Sequence, residues 1–210
     1  MKQIVALIMA GGKGTRFGGT IEKPMALFDG KPLIWCVIKA LKEAKRVGEI
    51  YVAVTDYTPN TAQEAEKALV KVITTDGKGY HADVQQAVKI ANLNCPVLII
   101  ASDLPLLKGE FLDEIIEKYD SSKKPALTVL IPEKAFNMYG LTSVSHYEYD
   151  GKMYAVSGIN IIDGGRILEE QEQEVVITSK PEAVFTVNSI EDLIATKKYL
   201  KLTKVSKLKK

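Results

Sequence analysis

The stretch Gln3-Ile4-Val5-Ala6-Leu7-Ile8-Met9-Ala10-Gly11-Gly12-Lys13-Gly14-Thr15-Arg16-Phe17-Gly18 joins a continuous apolar run to a basic, glycine-rich loop. An apolar run without alternation reads as a strand buried on both faces, which belongs in a parallel sheet. Glycines after such a strand let the backbone pass close to a ligand and turn several N–H groups inward. Phosphate oxygens suit that geometry, and Lys13 and Arg16 add positive charge where polyphosphate charge would gather. Lys23-Pro24 follows seven residues later with another cation on a constrained backbone. Two better-known phosphate motifs are excluded. The P-loop ending G-K-[ST] is missing. A dinucleotide fingerprint needs a third glycine where this chain has Phe17.

Working outward, the same alternation repeats. Pro32 opens a helix to about Ala44, with Ile34, Val37, Ile38 and Leu41 on one stripe. Strands are predicted over 49–54, 70–73, 97–101 and 126–131, and helices over 61–69, 82–92 and 110–119, Thr61 serving as N-cap of the first with Glu64 behind it. Strand, loop and helix in that order predict right-handed crossovers and an α/β fold with a doubly wound, mostly parallel sheet. After Pro132 the rhythm changes. Asp150-Gly151 between aromatic-rich runs signals a hairpin. Further strands are predicted over 158–162 and 183–187, and Ser189 caps a last helix over 190–200. This smaller mixed region is expected to cover one end of the sheet.

The chain has 210 residues and 23.1 kDa, which suits a single domain over 1–200 followed by a basic tail over 201–210. An apolar fraction of 46% and a charged fraction of 26% exclude wholesale disorder. No apolar run approaches the roughly 20 residues of a membrane span. With Cys36 and Cys95 as the two cysteines and no CxxC, a disulfide framework is not expected, and both read as small buried apolar residues in a reduced, cytoplasmic compartment. Seven of the 28 basic residues lie in Lys197–Lys210, leaving 21 against 26 acidic ones, a net of about −5 for the remainder. That balance does not describe a nucleic-acid binder. The lysine-rich end reads as a frayed, solvated terminus.

Ala10-Gly11-Gly12-x-Gly14-x-Arg16-Phe17 with Lys23-Pro24 resembles the signature of the sugar-phosphate and cofactor nucleotidyltransferases. Those enzymes share a Rossmann-like fold and transfer a nucleotide monophosphate from an NTP to a phosphorylated acceptor. The resemblance narrows at Thr58-Pro59-Asn60-Thr61, Asp76-Gly77-Lys78-Gly79-Tyr80, Ser102-Asp103-Leu104 and Val156-Ser157-Gly158-Ile159-Asn160. These stretches are similar to the archaeal-type GTP:adenosylcobinamide-phosphate guanylyltransferases, which implies GTP and adenosylcobinamide phosphate as substrates, Mg²⁺ as cofactor, and a place in cobalamin nucleotide-loop assembly. Molybdenum-cofactor and sugar-1-phosphate nucleotidyltransferases are the alternatives. A silent nucleotide-binding protein is a further class, against which Lys13, Arg16, Lys23 and Asp103 speak together. A glycosyltransferase would usually carry an Asp-x-Asp metal motif, which this chain lacks. The oligomeric state stays open, a homodimer included.

The residues then divide by role. The loop Ala10, Gly11, Gly12, Lys13, Gly14, Thr15 and Arg16 is expected to hold the nucleotide, with Lys13 and Arg16 on the β- and γ-phosphates and Lys23 at the α-phosphate or the acceptor phosphate. Asp103 ends a buried strand beside the triphosphate, where a carboxylate is best explained by Mg²⁺. Asn188, read as another strand end, is the second metal ligand that the resemblance implies. Asp76, with Gly77 and Gly79 for close backbone approach, is expected to accept two N–H bonds from a guanine edge. Gly158 and Asn160 are assigned to the acceptor. His81 and His146 lack any ligand spacing and are read as bystanders, and Trp35 as core.

Overall fold

The computed structural model describes residues 3–18, 21–142 and 145–208, with side chains up to 205. The chain runs β1 (Ile4–Met9), the hairpin β2 (Leu27–Phe28) and β3 (Lys31–Pro32), α1 (Leu33–Glu43), β4 (Val47–Val54), α2 (Pro59–Lys67), β5 (Lys71–Thr74), α3 (Tyr80–Ile90) and β6 (Pro96–Ala101). It continues through α4 (Gly109–Ser122), β7 (Ala126–Pro132), α5 (Glu133–Tyr139), β8 (His146–Tyr149), β9 (Lys152–Asp163), β10 (Gln173–Ile177), α6 (Pro181–Val184) and α7 (Ile190–Leu208). The main sheet has the order β10-β7-β9-β6-β1-β4-β5, with β8 paired to β9. Strands β1, β4, β5 and β6 are parallel, while β9 runs antiparallel to both β6 and β7.

The apolar pattern explains the two layers of helix. Ala6 and Ile8 of β1 face one side, where Ile34, Val37, Ile38 and Leu41 of α1 and Phe111, Leu112, Ile115 and Ile116 of α4 pack. Leu7 faces the other side, against Val84, Ala87 and Val88 of α3. The doubly wound reading therefore holds. After β5 the chain crosses over β1 to form β6, so the order reverses between β1 and β6. The loops leaving those two strands diverge, and ligands bind in the crevice they open. Met9 is the register partner of Ala101, which sets the loop beginning at Ala10 directly beside Ser102 and Asp103.

Four expectations need correction. Helix α2 starts at Pro59, not Thr61, because its free N–H groups are met from outside the helix. The Glu22 carboxylate accepts from the backbone and side chain of both Asn60 and Thr61 at 2.6–2.8 Å, and Pro59 presets the first turn. Residues 183–187 are not a strand: α6 and an irregular stretch occupy them, with Phe185 fully buried. The strand predicted over 158–162 is the second half of one long β9, bulged where its register with β7 shifts. The last helix does not stop at Leu200 but runs to Leu208, with Lys204 bonded to Asp29 at 2.8 Å, so the segment read as frayed is helical as far as 208. Helix α5 and strand β10 had no counterpart in the sequence reading.

The Glu22 clamp carries a measurable share of stability. Burial alone would raise the Glu22 pKa, but the Thr61 and Asn60 hydrogen bonds together outweigh it and hold the carboxyl below its ordinary value. Its contribution is therefore present at neutral pH and is lost as pH falls through the carboxylate range. Glu22→Ala is expected to cost about 2 kcal/mol, a drop of roughly 4–8 °C in Tm at pH 7. The variant should also lose less stability than wild type on acidification to about pH 3. Equal Tm values at pH 7 would show that water replaces the clamp at no cost.

Candidate active site

The loop after β1 is pinned from β4. Ala10 N donates to Ala53 O at 2.8 Å, and Thr55 Oγ1 donates to Gly11 O at 2.7 Å. A Cβ on Gly11 would lie 2.5 Å from Thr55 Cγ2, so a side chain there would push the loop off the strand end. The glycine is thus needed for close packing as well as for ligand approach. Ala10, Gly11, Gly12 and Lys13 contribute to the wall of a cleft of about 450 Å³, as do Lys23 and Pro24. Lys13 Nζ rests 4.8 Å from the centre of the Tyr57 ring, a cation–π contact that holds it at the cleft mouth.

Gly14, Thr15 and Arg16 are not part of that wall. The 3-10 turn Thr15–Phe17 is anchored by Phe17, which packs with Phe28, Leu33 and Leu193 and is 4% exposed. With Phe17 inward, Thr15 and Arg16 stand in solvent. Sequence adjacency had grouped Arg16 with Lys13; both are exposed, and of the two Lys13 lines the cleft.

Lys23 and Asp103 were assigned separate tasks but meet. Lys23 Nζ donates to Asp103 Oδ2. The other carboxylate oxygen, Oδ1, is buried with no partner among the described residues. An unpaired buried oxygen on a charged group costs several kcal/mol in principle, so it marks a place where function outweighs stability. Val187 N donates to Asp103 O at 2.9 Å, which draws the segment leading to Asn188 alongside the end of β6. Asn188 thus arrives beside Asp103 without ending a strand. Asp192 fixes it there: the Asp192 carboxylate accepts from the backbone N of Asn188 and of Ser189 at 2.9 Å and of Thr142 at 3.0 Å. The Asn188 amide nitrogen donates to Thr186 Oγ1 at 3.1 Å.

Asp76 is the clearest displacement. Its carboxylate accepts from Gln86 Nε2 at 2.9 Å and from Lys78 Nζ at 2.7 Å, is 48% exposed, and does not line the cleft. Those two partners, Gln86 first, hold its pKa below the ordinary carboxylate value. Gly77 and Gly79 do line the cleft, and the carboxylate that supports them is Asp83, which accepts from Gly77 N at 2.9 Å and Lys78 N at 3.2 Å. Asp83 is 8% exposed and had escaped notice because its sequence neighbourhood reads as a plain helix start. Thr55, Tyr57 and Tyr80 were missed for a similar reason: only folding brings their strand and helix ends to the loop.

A second cavity of about 660 Å³ lies over the sheet face next to α3, floored by β6, β9 and β7. Gly158, Asn160 and Asn188 all border it, as do both histidines read as bystanders. Gly158 makes the bulge in β9, with φ at +77° and a position where a Cβ would lie 2.7 Å from Ala101 Cβ. The two cavities share Tyr80, Ala101 and Asp103, so they meet at the Asp103 carboxylate. Trp35 and the two cysteines are only half-buried, and no helix among the described residues is long and apolar enough to cross a membrane.

Known proteins resemble this chain in sequence and in fold. The family profile of the MobA-like NTP transferase domain matches residues 6–175. Over 206 residues the chain is 32% identical to an adenosylcobinamide-phosphate guanylyltransferase of Methanocaldococcus jannaschii, covering 93% of this chain and 97% of that protein. Over 200 residues it is 30% identical to a probable molybdenum cofactor guanylyltransferase of Thermococcus gammatolerans, covering 90% and 97%. Among solved structures, the 4-diphosphocytidyl-2C-methyl-D-erythritol synthase of Anaerococcus prevotii has the same fold, with a TM-score of 0.66 at 15% identity over 95% of this chain and 99% of that one. Since the family match runs from β1 into β10, the chain belongs to the MobA-like NTP transferases and is a nucleotidyltransferase.

Proposed function

We propose that the protein transfers GMP from GTP to adenosylcobinamide phosphate, giving adenosylcobinamide-GDP and pyrophosphate. The observation that carries this reading is the meeting of two cavities at Asp103, one under the basic glycine loop and one over the open sheet face. A nucleotide in the first would bring its α-phosphorus to a phosphate presented from the second. An acceptor phosphate oxygen attacks the α-phosphorus in line. The bond to the oxygen bridging the α- and β-phosphates breaks, and pyrophosphate leaves with that electron pair.

Such chemistry asks for positioning and neutralisation of charge, not for a covalent intermediate. The loop N–H groups and Lys13 hold the β- and γ-phosphates. Lys23 faces the α-phosphate and the incoming oxygen. Arg16 keeps its phosphate role on the strength of the resemblance alone. Magnesium fits the junction, because Asp103 Oδ1 is a buried hard oxygen donor without a partner among the described residues. Asp103 would hold the ion with Asn188 beside it. The bound ion supplies neutralisation of phosphate charge.

Guanine differs from adenine in offering N1–H and N2–H donors on one edge, which call for acceptors. Asp83 and the backbone turn Gly77–Gly79 line the cleft and take over the reading first assigned to Asp76. Asp76→Asn is therefore expected to change the preference for GTP over ATP by less than about threefold, as for a surface substitution. Parallel calorimetric titrations with the two nucleotides check this. A collapse of the preference would return the base contact to Asp76.

The acceptor is favoured by the 32%-identical relative over nearly the full chain. The second cavity also opens along a hairpin that leaves Tyr147 and Tyr149 about 40% exposed, which suits an acceptor larger than the cavity. Molybdopterin is the second reading, favoured by several relatives named as molybdenum cofactor guanylyltransferases. Pyrophosphate release with each of four NTPs against adenosylcobinamide phosphate, molybdopterin and glucose 1-phosphate separates them. GTP with the cobinamide acceptor is the expected pair. No release with that pair, in a preparation active on molybdopterin, installs the second reading.

A further inference from the structure

Tyr80 stands at the junction of the two cavities and no role has yet been assigned to it. It is the first residue of α3, set by Gly79 at φ +118°, and with Ala101 and Asp103 it borders both cavities. Of those three, Ala101 offers only a methyl group and Asp103 only negative charge. Tyr80 therefore carries the neutral hydrogen-bond donor at the meeting point.

Its hydroxyl is aimed by a short relay. Thr128 Oγ1, on β7, donates to Asn160 Oδ1, on β9, at 2.8 Å. The Asn160 side chain, its amide oxygen so engaged, also interacts with the Tyr80 phenol. The Tyr80 O–H is left to donate to a ligand where the two cavities meet. The ring is held edge-on to His81 with centroids 5.5 Å apart. Tyr80 is 46% exposed, and an ordinary tyrosine keeps its proton near neutrality.

We propose that the Tyr80 hydroxyl donates a hydrogen bond to a non-attacking oxygen of the acceptor's phosphomonoester, oriented by Thr128 through Asn160. The inference rests on the reading that the second cavity takes a phosphorylated acceptor. Its physical motive is charge. The acceptor phosphate must approach a triphosphate and the Asp103 carboxylate, while Lys23 is already engaged by Asp103. A neutral donor offsets part of that repulsion without capping the oxygen that attacks. Tyr80 is then a binding residue, and Thr128, which itself lines the acceptor cavity, acts on it through Asn160 as a positioning residue.

Tyr80→Phe removes one oxygen and keeps the ring. With adenosylcobinamide phosphate as acceptor, its KM is expected to rise about 10- to 100-fold, as for a lost hydrogen bond to a charged group, with GTP affinity and Tm unchanged. Thr128→Val should raise the same KM several-fold, and Thr128→Ser should restore it. The second measurement does not depend on the acceptor's identity. Protein saturated with magnesium and α,β-methylene-GTP is titrated with inorganic phosphate and followed by ³¹P NMR. Wild type is expected to bind phosphate about tenfold or more tightly than Tyr80→Phe. If wild type ignores the cobinamide acceptor but this phosphate difference persists, the acceptor reading falls and the Tyr80 role stands. If wild type turns over and Tyr80→Phe matches it in acceptor KM, the Tyr80 role falls alone. Wild type that neither turns over nor binds phosphate overturns both.

Discussion

Asp103→Asn is expected to lower the rate of GTP-dependent pyrophosphate release by about 10³-fold, the scale seen when one preorganised charge-stabilising group is lost. The substitution keeps the shape of the side chain and removes its charge. The carboxylate closes the crevice at the point where strand order reverses, and its Oδ1 is buried without a partner among the described residues. A group kept in that state for stability would be a poor investment of folding free energy. The variant's Tm is accordingly expected to stay within about 4 °C of wild type, because the neutral amide costs less to bury even though Lys23 loses its ionic partner. Single-turnover kinetics and a thermal melt on the same preparation check both halves. Activity within tenfold of wild type would remove Asp103 from the reaction.

Lys23→Met combines a loss of rate with a loss of stability. The rate is expected to fall about 10²- to 10³-fold, since one cation facing the reacting phosphates is gone. Stability falls for a separate reason. The Asp103 side chain is 8% exposed and Lys23 23%, so removing the lysine leaves a carboxylate largely out of water with no counter-charge. Breaking a buried pair costs about 3–5 kcal/mol, and the partial exposure of Lys23 puts this case near 3 kcal/mol. For a chain of this size that is roughly 6–12 °C in Tm. The double variant Lys23→Met/Asp103→Leu separates the two effects. It should recover most of the lost stability, because an apolar pair can replace an ion pair, and recover none of the rate. A Lys23→Met protein that melts with wild type would show that water reaches Asp103 freely.

The corrections share one cause. Asp76 and Asp83 are both acids near the same glycines, yet the sequence favoured Asp76 because it directly precedes Gly77. In the folded chain Lys78 and Gln86 turn Asp76 outward, and the first turn of α3 carries Asp83 inward. Arg16 and Lys13 are three residues apart and were given one task, but of the two Lys13 lines the cleft, while Arg16 stands exposed next to the buried Phe17. Asn188 was read as a strand end, but no strand leads to it; the Val187 bond to Asp103 brings it to the cavity that Asp103 also lines. Strand β10 escaped notice because its Gln-Glu start follows an acid-rich stretch, and edge strands carry a weak alternation signal.

The sequence by itself determined the layered α/β architecture, the crossovers and the basic, glycine-rich character of the first loop. Those follow from local patterns: apolar runs with period near 1 or 3.6, glycines that only a close backbone approach requires, and cations adjacent to them. The tertiary structure alone decided which side chains converge. Lys23 with Asp103, Glu22 with the start of α2, and Thr128 through Asn160 to Tyr80 join segments 32 to 80 residues apart or belong to different strands. Such pairings depend on strand order and register, and a shift of one residue in β7 or β9 would send Thr128 or Asn160 to the opposite face.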